Sequence, residues 1–206
     1  MLGVLARDQE AVAAVIGAGR FASRRGWMPA TSGNISARIN DRLACITRSG
    51  VDKGDLVPGD VMTIALDAPL PAGCSAETPL HVARYCADRS IGAILHVHSV
   101  EATVLSRRFG ADGSLTIDGY EMAKAFNGVT THETSIRVPI FANAQDTARL
   151  AQEIEAALGA GPSLPAYLLE GHGIYTWGAS MNDARRHLEA LQFLLECTLE
   201  ERRSAT

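Results

Sequence analysis

The sequence predicts an α/β fold in which a mixed central β-sheet is flanked by helices. Strand-like and helix-like segments are interspersed without the regular alternation of a parallel βαβ array. The segment "NISARINDRLACITRSG" has the pattern of an antiparallel hairpin, so part of the sheet is expected to be antiparallel. A length of 206 residues suits one packed domain, and we predict a single domain over residues 1–206.

The first 90 residues predict two helices and three strands. Apolar side chains recur near the helical period from about Asp8 to Arg25, which predicts a long N-terminal helix. Strands are predicted at 35–39, 43–47 and 61–66. A second helix is predicted from Thr78 to about Asp88, because a threonine side chain caps free amides and Pro79 fits the first helical turn.

The rest of the chain continues this mixture of elements. It predicts a strand at 91–98, helices at 100–108 and 146–158, and a mixed region at 115–141. A connection at 159–165 leads to the strand-like segment "AYLLEGHGIYTW". Ser180 and Asp183 resemble a capping box, with aspartate in place of glutamate, at the start of the last helix. The buried side of that helix is predicted to carry Leu188, Leu191, Leu194 and Leu195.

Composition excludes several classes of protein. The net charge of −4 comes without any cluster of lysine and arginine, so no nucleic-acid surface is expected. No apolar run is long enough to cross a bilayer, and the start "MLGVLARDQE" lacks the apolar core of a signal peptide. The four cysteines are scattered and show no CxxC spacing (Cys45, Cys74, Cys86 and Cys197). Reduced thiols and a cytoplasmic location are therefore expected.

Two histidines at alternate positions end the predicted strand "GAILHVHSVE". Residues two apart in a strand point to the same face, so His96 and His98 project together. Two imidazoles on one face can form the arm of a metal site, since zinc accepts neutral imidazole nitrogens. Many such pairs are only polar residues at the end of a strand. The pair alone therefore leaves both interpretations open.

A third histidine offers support for a metal site. His172 lies between two glycines in "EGHGIYTWG", where the backbone can turn sharply and allow another group to approach closely. It can complete a three-ligand site, or it can be a turn residue that is hydrogen-bonded to the backbone. His81 and His187 fall on predicted helices and are interpreted as satisfied or solvated, whereas His132 in "TTHET" stays ambiguous.

Two loops and one glutamate complete the set of candidate groups. The segments "ATSGNISAR" and "ITRSGVDKG" combine hydroxyls and glycines that can bind phosphate, although each alone also fits an ordinary turn. Lys53 can add a positive charge there or can be solvated. Glu77 directly precedes the predicted helix start at Thr78. It can transfer protons beside a Lewis-acidic metal, or it can interact with the helix N-terminus.

The motifs "TSGNIS", "TRSG", "SAE", "HVH" and "GHG" occur in an order that resembles the class II (zinc-dependent) aldolase family. The resemblance runs from about Ala30 to Trp177 and implies a class II aldolase-like fold. It also implies one Zn²⁺ per subunit, bound by His96, His98 and His172, with Glu77 as the catalytic acid/base. Further implied groups are the phosphate-binding residues Asn34, Ser49, Gly50 and Ser75. A residue that acts first as a base and then as an acid works best near neutrality, so a raised pKa is expected for Glu77.

The resemblance also carries expectations about assembly and partners. It implies a homotetramer with sites at subunit interfaces, to which Tyr120 or Glu121 of a neighbouring subunit is a candidate contributor. The expected partner is a small sugar-phosphate substrate, with neither nucleic acid nor membrane. An apolar part of that substrate has four candidate neighbours that core packing explains equally well, namely Cys74, Phe126, Tyr175 and Trp177.

Within the family, the chain is more similar to a branch that dehydrates a sugar phosphate than to the aldolases. The segments at 119–133 and 138–146 carry this likeness, and Ala76 stands where aldolases commonly have a second serine before the glutamate. Two alternatives remain. One is a sugar-phosphate aldolase or epimerase that uses the same metal. The other is a non-catalytic interaction domain, as in adducin head regions, whose sign would be loss of the metal ligands.

Overall fold

The computed structural model describes residues 2–159 and 164–204, with side chains from residue 8 onward. Within these residues, five α-helices surround one eight-stranded β-sheet. The strands are β1 (Asn34–Arg38), β2 (Leu43–Thr47), β3 (Val61–Ala65), β4 (Ala93–Val97), β5 (Ser114–Asp118), β6 (Ser135–Phe141), β7 (Ala166–Leu169) and β8 (Gly173–Gly178). The helices are α1 (Leu2–Arg24), α2 (Thr78–Ala87), α3 (Val100–Phe109), α4 (Thr147–Leu158) and α5 (Met181–Ser204).

The sheet is mixed, as the sequence predicts. Its strand order is β3-β2-β1-β4-β8-β7-β6-β5. Only the β6–β7 pair is parallel among the described strands, and the other neighbours are antiparallel. Strands β4 and β8 occupy the centre, although about 75 residues separate them along the chain. The segments "HVH" and "GHG" therefore meet at one end of the central strand pair.

Helices cover both faces of the sheet and define two cores. On one face, apolar residues of α1, α3 and α5 pack against Ile35, Leu95 and Ile174. On the other face, α2 and α4 pack against Ile46, Ile94 and the aromatic residues of β7 and β8. A buried ion pair between Arg84 and Glu155 (3.2 Å) also joins α2 to α4. Among the helices in the described part of the chain, none combines the length and apolar composition required to cross a bilayer.

Most predicted elements are confirmed within a few residues. The hairpin of β1 and β2, the strand that carries the histidine pair and the buried leucines of α5 all occur as expected. The N-terminal helix begins earlier than predicted, at Leu2. The mixed region resolves into β5, a 3₁₀ segment and β6. Part of the predicted connection at 159–165 lies outside the described residues.

The start of α2 differs from the prediction. Thr78 is already helical, Glu77 occupies the N-cap position, and no side chain caps the free amides there. The predicted capping role of Thr78 is therefore wrong, because the helix begins one residue earlier than a threonine cap requires. The Ser180 hydroxyl, in contrast, accepts the backbone N–H of Asp183 (3.1 Å) as predicted.

Strand register aligns several polar side chains at the end of the sheet. Asn34 of β1 pairs with His96 of β4, and His96 pairs with Tyr175 of β8. The three residues therefore form one row across neighbouring strands and face the α2–α4 side. The next position of β4, Val97, points to the opposite core.

Gly173 permits the close approach of β8 to the histidine strand. A Cβ atom on Gly173 would lie 2.2 Å from the Val97 carbonyl oxygen, 3.0 Å from His98 Cδ2 and 3.2 Å from His96 Cε1. We expect Gly173→Ala to lower the free energy of unfolding by about 1–3 kcal/mol, the usual cost of overpacking. The same change should displace both histidines, and urea unfolding would measure the loss.

A helical glycine provides the matched control for this prediction. Gly17 lies within α1, and a Cβ atom added there meets nothing within 4 Å. Gly17→Ala should leave stability unchanged or raise it by about 0.5–1 kcal/mol, since alanine favours the helix. Equal stabilities for the two variants would contradict the close-approach argument.

Candidate metal centre

Four potential ligands converge at the end of the central strands. Glu77, His96, His98 and His172 each direct one ligand atom to a common point, and these atoms all lie within 4.8 Å of one another. The residues come from the N-cap of α2, from β4 and the residue after it, and from the turn between β7 and β8. The sheet thus brings together residues that are distant in sequence.

His96 is held in the orientation that a metal ligand needs. Its ring is buried, and Nδ1 lies 2.9 Å from the carbonyl oxygen of Ile174 on β8. Because a carbonyl oxygen can only accept, Nδ1 carries the proton and the lone pair is on Nε2. The ring also stacks on Tyr175, with centroids 4.1 Å apart. Strand pairing therefore fixes both the tautomer and the plane of this imidazole.

His98 presents its Nε2 atom 2.8 Å from His96 Nε2. Burial, together with the neighbouring imidazoles of His96 and His172, lowers the pKa of His98 to about 3. The imidazole of His98 is therefore neutral at physiological pH, which is the form that binds metals. Two ring nitrogens at this separation are well placed for a shared cation.

His172 enters the cluster from the tight turn between β7 and β8. Gly171 adopts a positive φ of 64°, and the His172 backbone N–H donates to the Leu169 carbonyl (3.1 Å). The turn leaves the imidazole free to face the other histidines, at a centroid distance of 4.5 Å from His98. Asn143 Oδ1 lies 3.4 Å from its Nδ1 atom. His172 therefore makes the backbone hydrogen bond expected of a turn residue and also belongs to the cluster.

Glu77 faces the histidines rather than the amides of its own helix. Its Oε1 atom lies 3.0 Å from His172 Nε2 and 3.3 Å from His96 Nε2, and Oε2 accepts the Asn34 amide at 2.7 Å. The Thr147 hydroxyl of α4 donates to the Ala76 carbonyl (2.5 Å) and so holds the preceding loop in place. The alternative of a helix-capping glutamate is therefore not supported by a side-chain bond.

The pKa of Glu77 differs from the sequence-based expectation. Burial raises the pKa of this carboxyl, but the charges and hydrogen bonds of His96 and His172 lower it more in sum. The net result lies well below the usual range rather than near neutrality. A carboxylate among imidazoles is ionised, which is the form required of a base.

The donor set fits a zinc-like ion. Three imidazole nitrogens and one carboxylate oxygen are typical ligands of this metal, and ligands at about 2 Å from a tetrahedral ion lie about 3.4 Å apart. Separations of 2.8, 3.0 and 3.3 Å within the cluster are close to that value. Glu77 Oε1 is also buried without a hydrogen bond of normal geometry, which an ion at the common point would remedy.

The predicted phosphate residues lie beside the cluster with different environments. The Asn34 amide donates to Ser75 Oγ (3.2 Å) as well as to Glu77, which makes Asn34 a direct neighbour of the carboxylate. Ser49 and Gly50 lie in an exposed loop that joins the Ser75 loop through the bond from Ser49 N–H to the Gly73 carbonyl (3.0 Å). The structure thus brings the two loops together.

Lys53 is buried, which corrects the alternative of a solvated loop lysine. Its side chain is 2% exposed, and Nζ donates to the Thr31 carbonyl at 2.5 Å. Burial lowers the pKa of Lys53, while Asp52 and Glu77 oppose that change. Within this chain, the lysine holds the "ATSGNISAR" loop close to the metal centre.

Tyr120 and Glu121 have other partners within this chain. Glu121 is exposed and pairs with Lys124 (2.6 Å) and His132 (3.5 Å). Burial raises the pKa of Tyr120 to about 12, and Glu201 of α5 adds to the rise. Neither residue belongs to the cluster defined by Glu77 and the three histidines.

Sequence reasoning missed a buried polar network behind the ligands. His81 is fully buried rather than solvated, and its Nδ1 atom lies 2.7 Å from the Ser36 hydroxyl, which also contacts Tyr85 Oη at 2.8 Å. His81 packs edge-on against Tyr175, which stacks on His96. The sequence offered one sign of this network: Ser36 is a polar residue on a strand face that packs against the core.

Fold and site together define an α/β domain that carries a His/Glu group able to hold a metal ion. A family model described as the class II aldolase and adducin N-terminal domain matches residues 13–199. The chain belongs to this family.

Known proteins resemble the chain along most of its length. It is 52% identical over 189 residues to a methylthioribulose-1-phosphate dehydratase of Pseudomonas aeruginosa. The aligned residues cover 90% of this chain and 92% of the relative. A protein of the same name from Marinobacter nauticus is 49% identical over 200 residues, or 96% of each chain. Among solved structures, an L-fuculose-1-phosphate aldolase of Thermus thermophilus superposes with a TM-score of 0.79 at 26% identity, covering 96% of this chain and 98% of that one.

Removal of one imidazole should abolish metal binding. We expect His98→Ala to lose at least nine-tenths of its zinc, because His96 and His172 alone form an incomplete site. Elemental analysis after purification without chelator measures the content. His132→Ala, which removes an exposed histidine, should keep one zinc per chain. Full occupancy in the His98 variant would refute its role as a ligand.

The buried His81 should make stability depend on pH. Burial lowers the pKa of His81 from 6.5 to about 3 in the folded chain. Between these values the unfolded chain binds a proton that the folded chain does not, so stability falls as the pH falls. Between pH 6.5 and 4.5, His81→Gln should lose about 2 kcal/mol less stability than the wild type, at about 1.4 kcal/mol per pH unit.

Urea unfolding across this pH range measures the difference, with His132→Gln as the control for an exposed histidine. Parallel curves for the wild type and His81→Gln would show that His81 is protonated equally in the folded and unfolded chains.

Proposed function

We propose that this protein is a zinc-dependent hydro-lyase that converts 5-methylthio-D-ribulose 1-phosphate to 2,3-diketo-5-methylthiopentyl 1-phosphate and water, a step of methionine salvage. The observation that carries the proposal is a complete set of three histidines and a glutamate in a chain about half identical to dehydratases of this name. A non-catalytic interaction domain has no need of these ligands, so their convergence argues against that alternative.

The metal and the protein have separate tasks in this reaction. A zinc ion held by His96, His98 and His172 would supply Lewis acidity for the substrate carbonyl at C2. That polarisation makes the C3 proton acidic, so a nearby carboxylate can remove it.

Glu77 is the proposed proton carrier. Its ionised Oε1 faces the cluster, while Asn34 holds Oε2 and so fixes the orientation of the carboxylate. Glu77 takes the proton from C3 and then gives it to the hydroxyl that leaves C4. The C3–H and C4–O bonds break, a C3–C4 double bond forms, and water departs. The resulting enol becomes the diketone by tautomerisation.

The phosphate group is assigned to the two loops beside Glu77. Ser49, Gly50 and Ser75 offer backbone and hydroxyl donors there, and Asn34 positions Ser75 by donating its amide to Ser75 Oγ. Gly50 is exposed and has a positive φ of 75°. Backbone and hydroxyl donors of this kind bind anions without a phosphate-binding helix. Lys53 contributes to this region by holding Thr31 in place.

Further features of the protein follow from the family. We assign residues 1–206 to one catalytic domain, which the match over 13–199 and the single continuous sheet support. Assembly into a homotetramer with sites at subunit interfaces is part of the proposal, as is the use of zinc rather than another divalent ion. The four cysteines are unpaired, which favours a reducing compartment such as the cytoplasm.

Supplying the substrate tests the proposal directly. The purified protein should convert 5-methylthio-D-ribulose 1-phosphate to the diketone, detected by mass as the loss of one water. A chelator should abolish turnover, and zinc should restore it. Release of dihydroxyacetone phosphate instead would identify an aldolase, the main rival on this fold.

Replacing the carboxylate should separate metal binding from chemistry. Glu77→Gln keeps the size of the side chain and removes the base, so we expect normal zinc content and a loss of at least 100-fold in kcat. Glu153→Gln, which alters an exposed glutamate paired with Arg149, is the matched control and should keep full activity. Turnover of Glu77→Gln near the wild-type rate would remove Glu77 from the mechanism.

A further inference from the structure

A cleft of about 510 Å³ opens directly beside the metal centre. His98 and His172 form its inner end, and Asn143 forms part of its rim. Its outer wall is apolar and contains Pro29, Val100 and Val104. The cleft therefore joins metal ligands to a hydrophobic surface, without any charged side chain among the residues that line it.

The two valines are exposed for a reason that lies in the strand-to-helix connection. Ser99 caps α3 by accepting the Ala102 N–H (3.2 Å), so the helix begins at Val100, two residues after His98. Val100 and Val104 are four residues apart and share one face of that helix. They are 65% and 42% exposed, and both belong to the few large apolar side chains that the described surface leaves in water.

The polar and apolar parts of the site lie on different sides of His172. A second, smaller cleft contains Ala76 and Glu77 and shares His172 and Asn143 with the first. Glu77 is bonded to Asn34, and Asn34 to Ser75, so the proposed phosphate donors lie on the glutamate side. The valine wall lies on the other side. A ligand that spans the centre can reach the Glu77 side at one end and the two valines at the other.

We infer that Val100 and Val104 form the subsite that binds the methylthio group of the substrate. The inference rests on the proposed function, which gives the substrate a phosphate on C1 and sulfur on C5. With C2 at the metal centre, four bonds of about 1.5 Å lead from C2 to the sulfur, and the cleft that the two valines line also contains the metal-site residues His98 and His172. The apolar methylthio group is then buried against Val100 and Val104, while the phosphate remains beside Asn34 and Ser75.

The earlier candidates for this subsite have other roles. Phe126, Tyr175 and Trp177 are 1%, 1% and 5% exposed, and they pack within the cores. Tyr175 contacts His96 with the face of its ring and so supports the ligand instead of the substrate. Cys74 precedes Ser75, on the phosphate side of the centre. Core packing, the alternative stated for these aromatic residues, is confirmed.

A double substitution tests the subsite with two substrates. Threonine keeps the shape of valine and replaces one methyl by a hydroxyl, so the variant Val100→Thr/Val104→Thr alters polarity without opening a cavity. We expect kcat/KM for 5-methylthio-D-ribulose 1-phosphate to fall about ten-fold, because the variant binds the methylthio group less well and positions it less well. For 5-deoxy-D-ribulose 1-phosphate, which lacks the methylthio group, kcat/KM should change less than two-fold. Val57→Thr alters a valine that is 52% exposed elsewhere and should affect neither substrate.

Four other results would contradict the inference, and each has a distinct cause. An equal loss for both substrates would show that the valines act on the shared part of the substrate or on the fold. A change in oligomeric state of the variant, measured by gel filtration with light scattering, would show that a second copy of the chain covers this face. If the wild type dehydrates neither substrate, the proposed function fails, and the subsite fails with it. If the wild type is active and the variant matches it on both substrates, only the subsite fails.

Discussion

The pairing of β4 with β8 is the constraint on which the site depends. It places the Ile174 carbonyl 2.9 Å from His96 Nδ1, and this single bond decides which nitrogen of the buried ring faces the metal centre. The same pairing puts Gly173 against the histidine strand, where a side chain would collide with the Val97 carbonyl. Because a backbone carbonyl of the sheet sets the tautomer of this ligand, the ring cannot rotate without breaking that hydrogen bond. The position of the His96 ring is therefore fixed by the sheet.

The site concentrates polar groups where the fold would otherwise be apolar. His96 is completely buried, and the neighbouring His98 is neutral because burial keeps its pKa at about 3. Bringing these rings and the Glu77 carboxylate together costs desolvation energy. A bound cation would compensate that cost. The aromatic stack of Tyr175 and Tyr167 behind His96, with centroids 4.8 Å apart, supplies the packing that holds the ring in place meanwhile.

Local pattern predicted those parts of the fold that depend on neighbours in sequence. The hairpin, the leucine stripe of α5 and the shared face of His96 and His98 follow from periods of 2 and 3.6 residues. The meeting of Glu77 and His172 with that pair depends on strand order, which no local period contains, so only the order of motifs indicated it. The burial of Lys53 and His81 escaped prediction for the same reason. Both are covered by elements distant in sequence, and a loop lysine or a helical histidine carries no local sign of such cover.

The same centre can serve two reactions, and the position of the substrate tail decides between them. Aldol cleavage breaks the C3–C4 bond and takes a proton from the C4 hydroxyl, whereas dehydration takes the proton from C3 and breaks the C4–O bond. The bond that breaks next to a polarised carbonyl must lie parallel to its π orbitals, so rotation about C2–C3 selects the reaction. In the proposed arrangement, a phosphate beside Asn34 and Ser75 would fix one end of the substrate. A tail against Val100 and Val104 would fix the other end, and the two anchors together would set that rotation with respect to Glu77. The inferred subsite beside His98 would then contribute to the choice of reaction as well as to affinity.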